Sequence, residues 1–386
     1  MEQRSPERRP PTIIRDMSGY AVALLAALAL VAFLWRGAGM TARAAGPFAV
    51  GTSRLSLRMP AATASADVRL WYPSAPRRWT DALSGSAPGA LVDAPPAAAG
   101  RPFPVLLYFS GWPETSIQNR RLIAALVSQG YAVVTVIYPP AATGRAATAF
   151  MDFSSAATYR ASLARADARV REHARDASAV LDGLAALDAG TPPSPFRAML
   201  DLRRAGIFGY SFGGAVAAQA ACRDARFKAA VNLDGWQFAE AGRDGVAQPY
   251  LLVSDDALPS AAALASADAE IRYRAQLTQE DYERALAHFA RHGGYLLVLR
   301  GAGHADLGDD GPPSKRALLT GGDSTTRLQR IVATYVLAFF DRHLRARDTP
   351  LLAQTPPRYP DARLQAWPRP AGNRADPADR CASDGS

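Results

Sequence analysis

Ala205-Gly206-Ile207-Phe208-Gly209-Tyr210-Ser211-Phe212-Gly213-Gly214-Ala215-Val216-Ala217-Ala218 decides the fold. An apolar run ends at Phe208, a Gly-x-Ser-x-Gly follows, and an alanine-rich stretch then reads as a helix. That is a strand, a sharp turn and a helix, with a serine at the turn. In so tight a turn backbone meets backbone, and a Cβ at Gly209 or Gly213 would clash. The turn lifts the Ser211 hydroxyl above the sheet edge. The first N–H groups of a helix have no intrahelical partner, so the Phe212 N–H is expected to point where an oxyanion would form. The bland alternative, a glycine-rich turn with a bystander serine, does not explain why both glycines flank the serine.

Working outward, continuous apolar runs at 103–109, 131–138, 205–208, 228–233, 249–254 and 295–299 have the composition of strands buried on both faces. A clearer alternating strand lies at 67–73, closed by Pro73, and 45–66 alternates weakly, as edge strands do. Between the runs lie helix patterns. Residues 121–129 stop at Gly130, and Val170, Ala174, Ala177, Leu181 and Leu184 mark one stripe of a long helix. Leu328, Ile331, Val332, Tyr335, Val336 and Phe339 mark a final one. Residues 258–294 read as mostly helical, with Thr278 as a cap, Tyr282, Leu286 and Phe289 on one face, and Gly293 as the stop; this is either a lid or a packed crossover helix. Residues 141–165 read as a polar insertion near the site. Strands alternating with helices predict an α/β fold with a mostly parallel central sheet covered on both faces.

A serine hydroxyl is a poor nucleophile at neutral pH and needs a base, which in turn needs an acid to hold it. Of the five histidines, His173 and His343 sit within long helix patterns and read as exposed, and His288 and His292 lie in the 258–294 helical region. His304 follows the last apolar run through Gly301-Ala302-Gly303, at the C-terminal edge where sites form in open α/β sheets. It is the predicted base. For the acid, Asp234 ends the strand after the elbow helix in an Asn-Leu-Asp-Gly-Trp turn, where Gly235 permits the turn and Trp236 could shield the carboxylate; Asp255 and Asp256 end the next strand. Both keep the order Ser, Asp, His, and Asp234 is preferred because its strand lies beside the nucleophile strand. The second oxyanion donor is expected from the loop after 103–109, at Gly111 or Trp112, with Trp112 named. Asp306, Asp309 and Asp310 lack companion ligands and read as a solvated acidic loop, so no metal and no cofactor are expected.

On these residues, 68–347 resembles the α/β-hydrolase fold. Gly-Tyr-Ser211-Phe-Gly-Gly, Asn-Leu-Asp234-Gly-Trp and Gly-His304 are similar to the platelet-activating factor acetylhydrolase group of serine esterases and its bacterial relatives. The resemblance implies Ser211, Asp234 and His304 in the triad roles. Dienelactone hydrolases are also similar but use a cysteine where this chain has Ser211. The relatives' Phe-Ser-His-Gly stands here as Phe109-Ser110-Gly111-Trp112, a departure at the oxyanion loop.

The chain carries 44 Lys+Arg against 35 Asp+Glu, with Lys228 and Lys315 the only lysines. The arginines are scattered among acids, as in Arg165-Ala-Asp167, and no basic run interleaves with aromatics, which argues against nucleic acid as a partner. Arg4, Arg8, Arg9 and Arg15 precede an apolar run over 19–35, long enough at about 1.5 Å per residue to cross a membrane. Ala42-Arg43-Ala44 resembles a cleavage site. The expected organisation is a basic cytoplasmic N-terminus (1–16), a transmembrane anchor or signal segment (17–36), an α/β-hydrolase domain (45–347) and a Pro-rich tail (348–386). Either fate of the segment puts the domain outside the cytoplasm, anchored to the inner membrane or exported. Cys222 and Cys381 allow one disulfide or two free thiols. The expected function is hydrolysis of a small-molecule or lipid-like ester through an acyl-enzyme. The alternatives are a silent binding module of the envelope and a serine peptidase. Nothing in the sequence sets acyl specificity or oligomeric state.

Overall fold

A computed structural model describes residues 46–57, 66–75, 90–138, 150–190, 194–309, 323–353 and 358–370. The predicted anchor or signal segment over 17–36 lies outside these. Among the described residues, no helix is long and apolar enough to cross a membrane.

The first half of the chain gives β1 (Ala49–Leu55), β2 (Asp67–Ser74), β3 (Leu91–Val92), β4 (Phe103–Phe109), α1 (Arg120–Ser128), β5 (Ala132–Ile137) and α2 (Ala156–Asp188). Next come β6 (Leu200–Tyr210), α3 (Phe212–Arg223), β7 (Phe227–Leu233), α4 (Ala239–Asp244) and β8 (Tyr250–Ser254). The chain continues through α5 (Ala261–Leu264), α6 (Ala269–His292), β9 (Gly294–Leu299), α7 (Asp323–Arg345) and β10 (Ala362–Trp367). The strands form one sheet in the order β10-β9-β8-β7-β6-β4-β5-β2-β1-β3. From β5 to β9 all neighbours are parallel, whereas β2 meets β1 and β5 antiparallel. This is the α/β-hydrolase fold that the sequence predicted.

The two faces of the sheet follow from the period of two along a strand. In β4, Val105, Leu107 and Phe109 face one core with Val170 and Leu184 of α2 and Val216 of α3. Leu106 and Tyr108 face the other, with Ile123 and Leu126 of α1 and Ile331 and Phe339 of α7. Every side chain of β4 and β5 is buried, which is why both read as unbroken apolar runs.

Three elements differ from expectation. β6 starts at Leu200 rather than Ala205, because Phe103 and Pro104 pair with Leu200 and Asp201 before the register jumps to Val105–Ala205. The intervening Arg203 and Arg204 hid this start. The cap of α6 lies ten residues before Thr278: it is Asp268, accepting from the Glu270 and Ile271 N–H groups, and Gly293 ends the helix as predicted. The stretch expected as a tail supplies β10, antiparallel to β9 from Ala362↔Leu299 to Trp367↔Gly294. Prolines at 356, 357, 360, 368 and 370 made this edge strand read as loop.

Candidate active site

The elbow is built by close approach. A Cβ on Gly209 would come 2.1 Å from the Gly213 carbonyl oxygen, and one on Gly213 would come 2.0 Å from that of Phe109. Between them Ser211 takes φ 54° and ψ −121°, a conformation costing about 1–3 kcal/mol in a residue with a side chain. The Ser211 N–H donates to the Leu233 carbonyl at 2.8 Å, which ties the turn to β7. α3 starts immediately afterwards, with Phe212 as its first residue.

β7 delivers the carboxylate. The Asn232 side chain closes the turn, accepting from the Gly235 N–H and donating to the Gly235 carbonyl, both at 2.8 Å. Asp234 sits at φ 59°, and its N–H donates to the Val253 carbonyl at 2.8 Å. His304 arrives from the end of β9. Its Nδ1 lies 2.7 Å from Asp234 Oδ2 and its Nε2 lies 3.0 Å from Ser211 Oγ. Three side chains from three strand ends thus form one hydrogen-bonded line. The imidazole is braced by the Tyr210 ring, stacked at 5.0 Å, whose hydroxyl donates to the His304 carbonyl at 3.0 Å.

Burial opposes charge on His304, but the hydrogen bond and charge of Asp234, with the charge of Asp255, outweigh it and hold the imidazole pKa above its ordinary 6.5. The ring is half exposed and the carboxylate is not, at 49% and 13% of their side-chain surfaces. A substrate can therefore reach the imidazole while the acid stays out of solvent. The rival acids have other places. The Asp255 N–H donates to Asp234 Oδ1 at 3.0 Å, and burial followed by the Asp234 charge pushes its own carboxyl up to about 6. Asp256 Oδ2 accepts from the Gly301 N–H at 3.4 Å.

The other histidines stand apart from the serine. His173 is not exposed as predicted. It is buried, 2.7 Å from Glu114 Oε1 through Nε2 and 3.3 Å from Asp176 Oδ2 through Nδ1. Glu114 lies 59 residues before it, beyond the reach of a helix-face pattern. His343 is half-buried against Phe339 and Tyr295. His288 and His292 are buried against the Arg243 and Asp244 carbonyls. The acidic loop is not simply solvated: Asp306 is buried and caps the Gly303 N–H at 3.0 Å, and Asp309 Oδ2 accepts from the Arg121 N–H at 2.7 Å. No group of residues suited to hold a metal ion occurs among the described residues.

Ser211, Asp234 and His304 open into a cavity of about 440 Å³. Phe150, Phe212, Trp236 and Phe238 line it, and α6 adds Thr278 and Tyr282. α6 is thus a packed helix forming one wall. Thr278, misread as a cap, holds the Trp236 indole N–H at 3.3 Å. Beside the serine stands the loop after β4, where a Cβ on Gly111 would lie 3.0 Å from Ser211 Cβ. The Gly111 N–H is taken by Gln118 Oε1 at 2.7 Å. No hydrogen bond engages the backbone N–H of Trp112 or Phe212 among the described residues.

Residues 154–286 match the family described as platelet-activating factor acetylhydrolase, isoform II. The chain is also similar to a ferulic acid esterase from Streptomyces cinnamoneus solved at 2.4 Å, with 28% identity over 82% of this chain and 96% of that one and a TM-score of 0.59. The chain is a serine hydrolase. No curated protein matches it. The matched segment of the hydrolase runs from α2 through the elbow to α6 and includes Ser211 and Asp234. The esterase likeness spans nearly the whole of that enzyme, so the hydrolase resembles the serine esterases in fold as well as over its central segment.

Proposed function

We propose that this hydrolase cleaves carboxylic esters through a Ser211–His304–Asp234 triad and an acyl-enzyme. The reading rests on the unbroken hydrogen-bonded line from Ser211 Oγ through His304 to Asp234. Ser211 Oγ attacks the ester carbonyl carbon while its proton passes to His304 Nε2. The Phe212 and Trp112 N–H groups take the oxyanion. The bond to the alcohol oxygen breaks, and the alcohol leaves with the proton from His304. Water then attacks the acyl carbon, gives a proton to His304, and the acid departs as Ser211 regains that proton. Asp234 keeps Nδ1 protonated throughout and stabilises the imidazolium.

The aromatic wall formed by Phe150, Phe212, Trp236 and Phe238 suits an apolar or flat acyl group. Likeness to a ferulic acid esterase brings esters of ferulic acid into range beside lipid-like esters. The domain works outside the cytoplasm, carried there by the apolar run over 19–35 behind its arginines. The test is turnover of p-nitrophenyl esters of graded acyl length, alongside a ferulate ester, by protein lacking residues 1–44. Ester turnover abolished in Ser211→Ala supports the mechanism, and turnover retained there refutes it.

A further inference from the structure

Beneath the loop after β4 lies a cluster of charge that the reaction does not use. Glu114 has only 3% of its side-chain surface exposed, and its Oε2 takes two bonds from Arg169, at 2.5 Å and 3.2 Å. Its Oε1 faces His173 Nε2 at 2.7 Å. The other nitrogen of that ring faces Asp176, whose Oδ2 also accepts from the Tyr138 hydroxyl at 2.8 Å. The imidazole stacks on the Tyr138 ring at 4.1 Å. Burial disfavours the imidazolium, but Asp176 and Glu114 overcome this and raise its pKa. Two acids thus face an arginine and a histidine held toward its charged form.

Ion pairs this far from water are a poor source of stability, because desolvation offsets most of their attraction. Their location supplies another role. Glu114 closes the turn that carries Trp112: its N–H donates to the Gly111 carbonyl at 2.7 Å, and its own carbonyl accepts from the Tyr138 N–H at 3.0 Å. The Arg169 guanidinium that grips Glu114 also lies over the Trp112 ring, 5.1 Å from its centre. His173 touches the residue bearing the other N–H, meeting the Phe212 ring edge-on at 5.8 Å. One buried cluster therefore contacts both Trp112 and Phe212, although these come from different strand ends.

We propose that Glu114, Arg169 and His173 are positioning residues for the oxyanion hole, fixing the Gly111–Glu114 turn so that the Trp112 N–H stays aimed at the oxygen beside Ser211. This rests on the assignment of the Phe212 and Trp112 N–H groups as oxyanion donors. A carboxylate locked from two sides by α2 removes the freedom a loop would otherwise have, and displacement of about 1 Å in such a donor costs up to about 100-fold in rate.

The test compares an oxygen ester with its thionoester, whose sulfur gains little from N–H groups placed for oxygen. Both are measured on wild type, Glu114→Gln and Arg169→Gln, with kcat expressed per site titrated by a fluorophosphonate so that misfolded protein does not count, and on Ser211→Ala per mole of folded protein. Glu114→Gln is expected to lower kcat for the oxygen ester by about 10- to 100-fold with little change in KM. The thionoester should suffer much less, so that the ratio between the two collapses. Arg169 has 18% of its side-chain surface exposed, so Arg169→Gln provides the same reading, with a smaller drop, if Glu114→Gln does not fold. An unchanged ester-to-thionoester ratio in either folded variant overturns the proposal. Turnover surviving in Ser211→Ala, or wild type showing no preference for the oxygen ester, instead removes the hole itself and the underlying mechanism.

Discussion

The two loops that meet at Ser211 are held by opposite means. The elbow from Gly209 to Gly213 is fixed by backbone against backbone, with approaches so close that no side chain fits. The Gly111–Glu114 turn is fixed by a buried carboxylate gripped by residues more than fifty positions away. The first device is steric and indifferent to pH. The second is long-range and electrostatic. Each carries a backbone N–H without a hydrogen-bond partner among the described residues, Phe212 on the elbow and Trp112 on the turn, so a fault in either is expected to show in the chemistry, though by different routes.

The largest effect should come from the elbow. Gly213→Ala places a Cβ where the Phe109 carbonyl oxygen already lies and should cost about 4 kcal/mol or more. Thermal melting is expected to show a collapsed or absent transition, and ester turnover should vanish with it. A variant that melts like wild type would show that the elbow is looser than drawn. Next in size is the acid. Asp234→Asn leaves the geometry but favours the wrong imidazole tautomer, with an expected kcat loss of about 10⁴-fold. Asp255→Asn should stay within about tenfold, since its part is to hold Asp234 through a backbone N–H. Equal losses in the two would mean that the acid has been misassigned.

A smaller effect belongs to pH. With neutral His304 as the proposed base, kcat/KM should climb with pH and level off above a pKa higher than 6.5, the side to which Asp234 and Asp255 move it. The stability linked to this group runs the other way. A raised folded-state pKa means the contribution is full below the unfolded value and is lost as pH rises through the folded one. A pH–rate profile with its acid limb below 6.5 would contradict the assignment. The smallest effect is again at Asp255. Its folded pKa of about 6 exceeds the ordinary 3.8, so its contribution is full below 3.8 and lost by the time pH passes 6. At pH 8 the ionised, partly buried carboxylate is a net cost. Asp255→Asn should therefore raise the melting temperature by about 2 °C or more at pH 8 and by less at pH 5. A variant that melts lower at pH 8 would refute this.

The same contrast explains what could be read without coordinates. The buried strands were legible because a strand covered on both faces has no reason to carry a polar residue, and β4 runs from Phe103 to Phe109 as the apolar run did. The convergence of Ser211, Asp234 and His304 was legible because each stands at a strand end in or after a glycine-bearing turn, and their meeting is a consequence of strand order. The Glu114–His173 contact was not legible. On the long α2 helix His173 looks like any histidine among arginines, and only the packing of α2 against the loop after β4 buries it. Thr278 misled for a related reason: a threonine followed by acids resembles a cap, yet Asp268 starts the helix ten residues earlier. β10 was hidden by its prolines, which mark an edge as readily as a loop. The span over 17–36 rests on sequence alone.

The account stands or falls on whether Ser211 is the group that attacks. Reaction of the full-length protein with a fluorophosphonate, followed by peptide mass spectrometry, measures this directly. One adduct on the peptide containing Ser211, formed slowly or not at all in His304→Ala, is the predicted result. An adduct on another serine, or none under conditions where ester is turned over, would contradict it.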